Sequence, residues 1–174
     1  PPFDMKPPPP RSSPLHSSAA SDVFKRQDFN QSLGDWKFSN VTYMAKIFRS
    51  ASAFNQPIGG WNVSAVTSMS RMFLGASSFN QSIINWNTSS VLNMEYMFNG
   101  AGSFNKDIGQ WNTSAVVNMA HMFRTASAFN QDIGNWDTSS VANMEYMFHG
   151  ANAFNQNVSD WNVSAVTNMT DMFN

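Results

Sequence analysis

Three histidines, His16, His121 and His149, are the side chains of this 174-residue chain whose ordinary pKa lies near neutrality, so they are the first place to look for catalysis or metal binding. His16 precedes the repeated part of the chain. His121 and His149 stand at different positions of the repeat, and the chain has no cysteine to complete a mixed ligand set. They read as solvent-facing residues. Glu95 and Glu145 occupy one repeat position two copies apart, which at strand spacing separates their carboxyls by about 10 Å. That is too far for a retaining glycosidase pair and marginal for an inverting one, so they read as surface charges. Asp107, Asp132 and Asn157 form a polar column that could hold a cation between copies, without the dense carboxylates of a calcium loop. The expectation is a non-enzyme, with no catalytic residues, no metal residues and no cofactor.

Two other features could carry binding. Asn30, Asn40, Asn62, Asn80, Asn87, Asn112, Asn157, Asn162 and Asn168 are each followed by Ser or Thr two residues on, the acceptor pattern for N-linked glycans. Asn62, Asn87, Asn112 and Asn162 are the candidate glycosylation sites, whereas Asn30 and Asn80 fit a structural ladder. Turn chemistry copied by duplication explains the same pattern. The second feature is a column of six tryptophans. Facing outward, it would be a platform for sugars or an aromatic partner; facing inward, it is core.

The elements that must position these groups recur with a fixed period. Phe29, Phe54, Phe79, Phe104, Phe129 and Phe154 open six copies of a 25-residue unit, each followed by Asn, and seven positions after each Phe stands a Trp, from Trp36 to Trp161. The unit reads F-N-Q-x-I-G-x-W-N-x-S-x-V-x-N-M-x-x-M-F-x-x-A-x-x. Such a period marks a solenoid, propeller or array, because each unit offers an apolar face that only its neighbour can cover. The copies are 29–53, 54–78, 79–103, 104–128, 129–153 and a truncated 154–174. Phe54, Trp61, Met69, Phe73, Phe79, Trp86, Phe104, Trp111, Phe129 and Trp136 are the predicted repeat core.

Within a unit, Met69, Met72, Phe73 and Ala76 fall at helical spacing, with Asn93, Asn118, Asn143 and Asn168, or Ser68, as N-caps. The stretch from Gln56 to Asn62 reads as a short strand, stacked into a parallel sheet with equivalent atoms about 4.8 Å apart. Ile58 and Trp61 conflict with a regular strand, being three positions apart. Either a bulge near Gly59 turns both inward, or one column faces out.

Residues 1–28 differ in kind. Seven of the eight prolines lie there, including Pro7, Pro8, Pro9 and Pro10 followed by Arg11. This extended arm is predicted to favour polyproline II and to dock on a partner, with its last residues capping the first unit. Composition excludes other classes. A net charge of -1 offers no field for phosphate backbones, and no apolar run reaches the roughly 20 residues of a membrane span.

The stretches Val91 to Phe104 and Val141 to Phe154, reading V-x-N-M-x-x-M-F-x-G-A-x-x-F, resemble the BspA-like surface-protein leucine-rich repeats. The resemblance is closer to a variant written F-N-Q-D-I-x-N-W-D-V-S-x-V-T-N-M, which occurs in bacterial surface lipoproteins and in proteins of algae and other protists. It covers residues 29–174. It implies a right-handed leucine-rich-repeat-like solenoid, one short parallel strand and one short helix or 3-10 turn in every unit. It also implies a place on the cell surface or outside the cell, without known catalytic residues. The low lysine content and the absence of a lipobox cysteine favour an algal or protist source.

The function expected from these readings is an interaction or adhesion module that binds proteins or glycans through the face of the coil. The competing expectation is a structural accessory subunit, tethered by its arm to neighbouring subunits of a large, membrane-associated assembly in an organelle.

Overall fold

The protein is described by a computed structural model over residues 27–33, 36, 38 and 40–173. The expected arm, its polyproline docking segment Pro7 to Arg11 and most of its cap lie outside these residues.

Successive units lie against one another through bonds that recur in register. The amides of Met69, Arg71, Phe73 and Gly75 donate to the carbonyls of Asn93, Glu95, Met97 and Asn99 in the next unit, and the same set repeats through the interior units. The amides between them fold back within the unit: Met72 donates to Met69, Leu74 to Arg71 and Ala76 to Phe73. Alternate amides thus serve the neighbour and the local turn.

This alternation corrects the helix expected at Met69–Ala76. Among the described residues from 28 onward there is no α-helix; the segment is a run of linked turns. A helix would turn the amides of Phe73 and Gly75 back to Met69 and Arg71 of its own unit and withdraw them from the next. The turns reproduce the helical burial pattern because residue 71 and its equivalents adopt positive φ, which swings the chain so that Met69, Met72, Phe73 and Ala76 all point inward. The expected caps act as turn acceptors: the Oδ1 atoms of Asn93, Asn118, Asn143 and Asn168 take the amides two positions on.

The strand expected at Gln56–Asn62 is also replaced. Parallel pairing is confined to single residues at another position, linking Tyr43, Ser68, Asn93, Asn118, Asn143 and Asn168 in series. Between Gln56 and Asn62 the chain makes a turn in which the Trp61 amide donates to the Ile58 carbonyl, and both side chains point inward. The turn resolves the spacing conflict, since residues closing a β-turn can share a face where strand residues at the same spacing cannot.

The core is columnar. Rings of Phe54, Phe79, Phe104, Phe129 and Phe154 stack at 5.8 to 6.1 Å, and a second column, Phe48, Phe73, Phe98, Phe123, Phe148 and Phe173, at 5.4 to 5.6 Å. These spacings exceed the expected separation of about 4.8 Å because near-parallel rings slide sideways to avoid face-on overlap of their quadrupoles. The tryptophans are core too. From Trp61 to Trp161 they are 3 to 7% exposed, and each indole Nε1 donates to a carbonyl of the previous unit, as Trp111 does to Ile83 at 3.2 Å. Of the two alternatives for the tryptophan column, the inward one holds: the indole has a buried acceptor waiting in the previous unit.

A ladder of asparagines fastens the outer turn. Asn55 Oδ1 accepts from the amide of Asn80 and from Gln81 Nε2, and Asn105 Oδ1 accepts from Asn130 and Gln131. Asn80 Oδ1 takes the Asn105 amide. Lys106 follows Asn105 where the other interior copies have Gln, so Asn105 carries two such acceptor bonds and Asn80 one. Asn105→Ala is expected to cost about 1 to 2 kcal/mol, and Asn80→Ala less, measured as urea unfolding free energies. Equal losses would show that the Gln contacts contribute nothing.

Candidate functional site

Several outward columns vary from unit to unit, and one of them is also strained. Position 71 and its equivalents hold Lys46, Arg71, Tyr96, His121, Tyr146 and Asp171, five kinds of side chain on a scaffold whose inward columns are nearly uniform. All six have positive φ, between 46° and 66°. The left-handed conformation costs a residue with a Cβ roughly 1 to 2 kcal/mol and costs glycine nothing. Four positions further on, the second positive-φ column does use glycine, at Gly75, Gly100 and Gly150. The first column never does. Retention of large side chains where glycine would be free of strain is the mark of a position kept for what its side chain touches.

From Arg71 onward they touch one another. The Arg71 guanidinium lies over the Tyr96 ring, 4.8 Å from its centroid, and pairs with Glu95 at 3.2 Å. The Tyr96 ring stacks on His121 at 4.2 Å, and His121 on Tyr146 at 5.1 Å, all nearly parallel. Arg124 covers Tyr146 at 5.1 Å, and His149 meets the same ring edge-on at 5.3 Å. The Asp171 carboxylate lies near the Tyr146 phenol and raises its pKa above the usual value. Cations, rings and carboxylates thus form one connected ladder across units two to six.

This geometry corrects the reading of His121 and His149 as solvent-facing, while His16 lies outside the described residues. His121 is only 8% exposed, and its Nδ1, like that of His149, is buried without a hydrogen-bond partner. Burial pushes the His121 pKa down; Arg124 and Arg71 push the same way, against Glu145 and Glu95. The ladder escapes a reading of the sequence because it falls on the variable x after M-x in N-M-x-x-M-F. The available signal is that all three tyrosines and His121 lie in this stretch of the unit, with His149 one position past its end.

The other candidates are dispersed around the unit. Asn62, Asn87, Asn112 and Asn162 are exposed, and each Oδ1 accepts the amide of the serine two positions on. At Asn62 and Asn112 the serine hydroxyl adds a second bond. Asp137 does the same job in unit five, where Ser139 holds its carboxyl below the usual range, so turn chemistry alone accounts for the Asn-x-Ser pattern. Asp107 and Asp132 cap the amides of Gly109 and Gly134, and Asn157 that of Ser159. Among the described residues no group of three or more His, Asp and Glu side chains is placed to hold a metal ion. Nor is any helix among them long and apolar enough to cross a membrane. Phe54, Trp61, Met69, Phe73, Phe79, Trp86, Phe104, Trp111, Phe129 and Trp136 are all buried.

No match was found among curated proteins or among solved structures. A family model matches twice, over residues 18–106 and 82–174, the two matches together spanning all six units. Its double match is that of a repeat family, and the chain belongs to the family described as Mycoplasma protein of unknown function, DUF285.

Proposed function

We propose that this protein is a non-enzymatic interaction module whose working surface is the ladder from Arg71 to Asp171. The observation that carries the reading is the contrast between uniform inward columns and one strained column of unlike, touching side chains. In a repeat protein a partner can be told from any other only by what differs between units, because identical units present identical surfaces. Aromatic and arginine side chains are also those that dominate binding energy at protein interfaces. The module is a right-handed, BspA-like, leucine-rich-repeat-like solenoid on a cell surface or outside the cell, engaging proteins or glycans. The bonds that recur from each unit to the next support the winding, with linked turns in place of the helix of that class.

The test is a panel of immobilised extracellular glycoproteins and free glycans, probed with the wild-type protein, with Tyr96→Ala/Tyr146→Ala and with the exposed control Gln110→Ala. The ladder variant is expected to weaken binding about tenfold or more, and the control less than about twofold. Undiminished binding by a folded ladder variant would remove this surface from the reading, and a panel with no binder would count against the adhesion role.

A further inference from the structure

His121 fills a slot that offers no hydrogen-bond partner to a proton on its Nδ1. Its two faces are covered by Tyr96 and Tyr146, at 4.2 and 5.1 Å, and its Nδ1 is buried with no acceptor or donor opposite. An imidazolium between two tyrosines would ordinarily gain from their ring quadrupoles. Here each tyrosine already carries a guanidinium, Arg71 on Tyr96 and Arg124 on Tyr146, so a third cation would share rings that are taken and repel both neighbours. Glu95 and Glu145 oppose this, but Glu95 is engaged with Arg71, and the Asp171 carboxylate lies near the Tyr146 phenol. His149 lies at the edge of Tyr146 and adds no acceptor, its own Nδ1 being without a partner. The imidazole is therefore held in its neutral form.

We propose that the Tyr96–His121–Tyr146 stack is an acid-sensitive latch, in which proton uptake by His121 expels its ring from between the tyrosines and rearranges the ladder. The consequence for binding rests on the function proposed above; the latch does not. Because burial holds the folded-state pKa of His121 below the ordinary imidazole value, the unfolded chain takes up this proton first. The stabilisation is complete above about pH 6.5 and is lost as the pH falls through the folded-state value.

The test is an NMR titration of the unliganded protein from pH 8 downward, following His121 Cε1–H and the ring protons of Tyr96 and Tyr146. The tyrosine resonances are expected to lose their ring-current shifts with the same midpoint as His121, below about pH 6.5. In His121→Phe, which keeps a ring in the slot but cannot titrate, those shifts should stay constant over the same range. If that variant does not fold, His121→Gln is followed instead by its thermal midpoint, which should lose the acid-dependent fall of the wild type. Tyrosine resonances that stay fixed while His121 titrates would overturn the latch, and so would an acid transition that persists in the variants. Partner binding at pH 7.5, where the latch is closed, tests the function separately, so failure there leaves the titration result standing.

Discussion

Phe104→Ala is expected to lower the unfolding free energy by about 3 to 5 kcal/mol, while Phe29→Ala costs markedly less. Phe104 is fully buried and packs against both columns, 5.8 Å from Phe79 and 6.1 Å from Phe129 in its own and 4.1 Å from Phe98 in the other. Truncation there opens a cavity walled by three rings, which parallel stacks pinned by interunit hydrogen bonds are poorly able to close. Phe29 is partly exposed at the described edge of the stack and meets Phe48 at 6.5 Å and Phe54 at 5.9 Å, with no stacked ring among the described residues on its other side. Chemical denaturation of both variants checks this. Equal losses would mean that stability is not assembled from nearest-neighbour unit contacts.

Adjacent glycines in one turn should respond with opposite signs. A Cβ at Gly59 would lie 2.5 Å from the carbonyl oxygen of Ser82 in the next unit, whereas a Cβ at Gly60 meets nothing within 4 Å. Gly59→Ala is therefore expected to cost about 1 to 3 kcal/mol, by forcing two units apart at the turn that brings Ile58 and Trp61 inward. Gly60→Ala should be neutral or gain up to about 1 kcal/mol, because alanine restricts the unfolded chain without straining the folded one. Ile84 stands at the position of Gly59 in unit three, so the facing backbone there accommodates a side chain, and the size of the Gly59→Ala loss measures how far Ser82 can retreat. Thermal midpoints of the two single variants decide the matter, and a loss at Gly60 as large as at Gly59 would sink the close-approach argument.

The period of Phe, Asn and Trp, the unit boundaries and the buried set are legible in the sequence because an apolar side chain repeated in register has no other place to go than against its copy. The Asn ladder is legible for the same reason, since an amide repeated at the unit spacing can bond its neighbour and itself. Local structure is not. Met69, Met72, Phe73 and Ala76 satisfy a helix and a chain of linked turns equally well, and only the demand of neighbouring units for alternate amides selects the turns. Ile58 and Trp61 fit two backbone paths for the same reason. The ladder is the least legible feature, because a variable position carries no period, and its chemistry arises between units. Nothing in the identity of His121 marks it as different from His149, yet the tyrosines one unit before and one unit after enclose it. Sequence alone determined which residues must meet their own copies; the tertiary structure decided which unlike residues meet, because stacking brings side chains a whole unit apart in the chain to within 4.2 to 5.1 Å of each other.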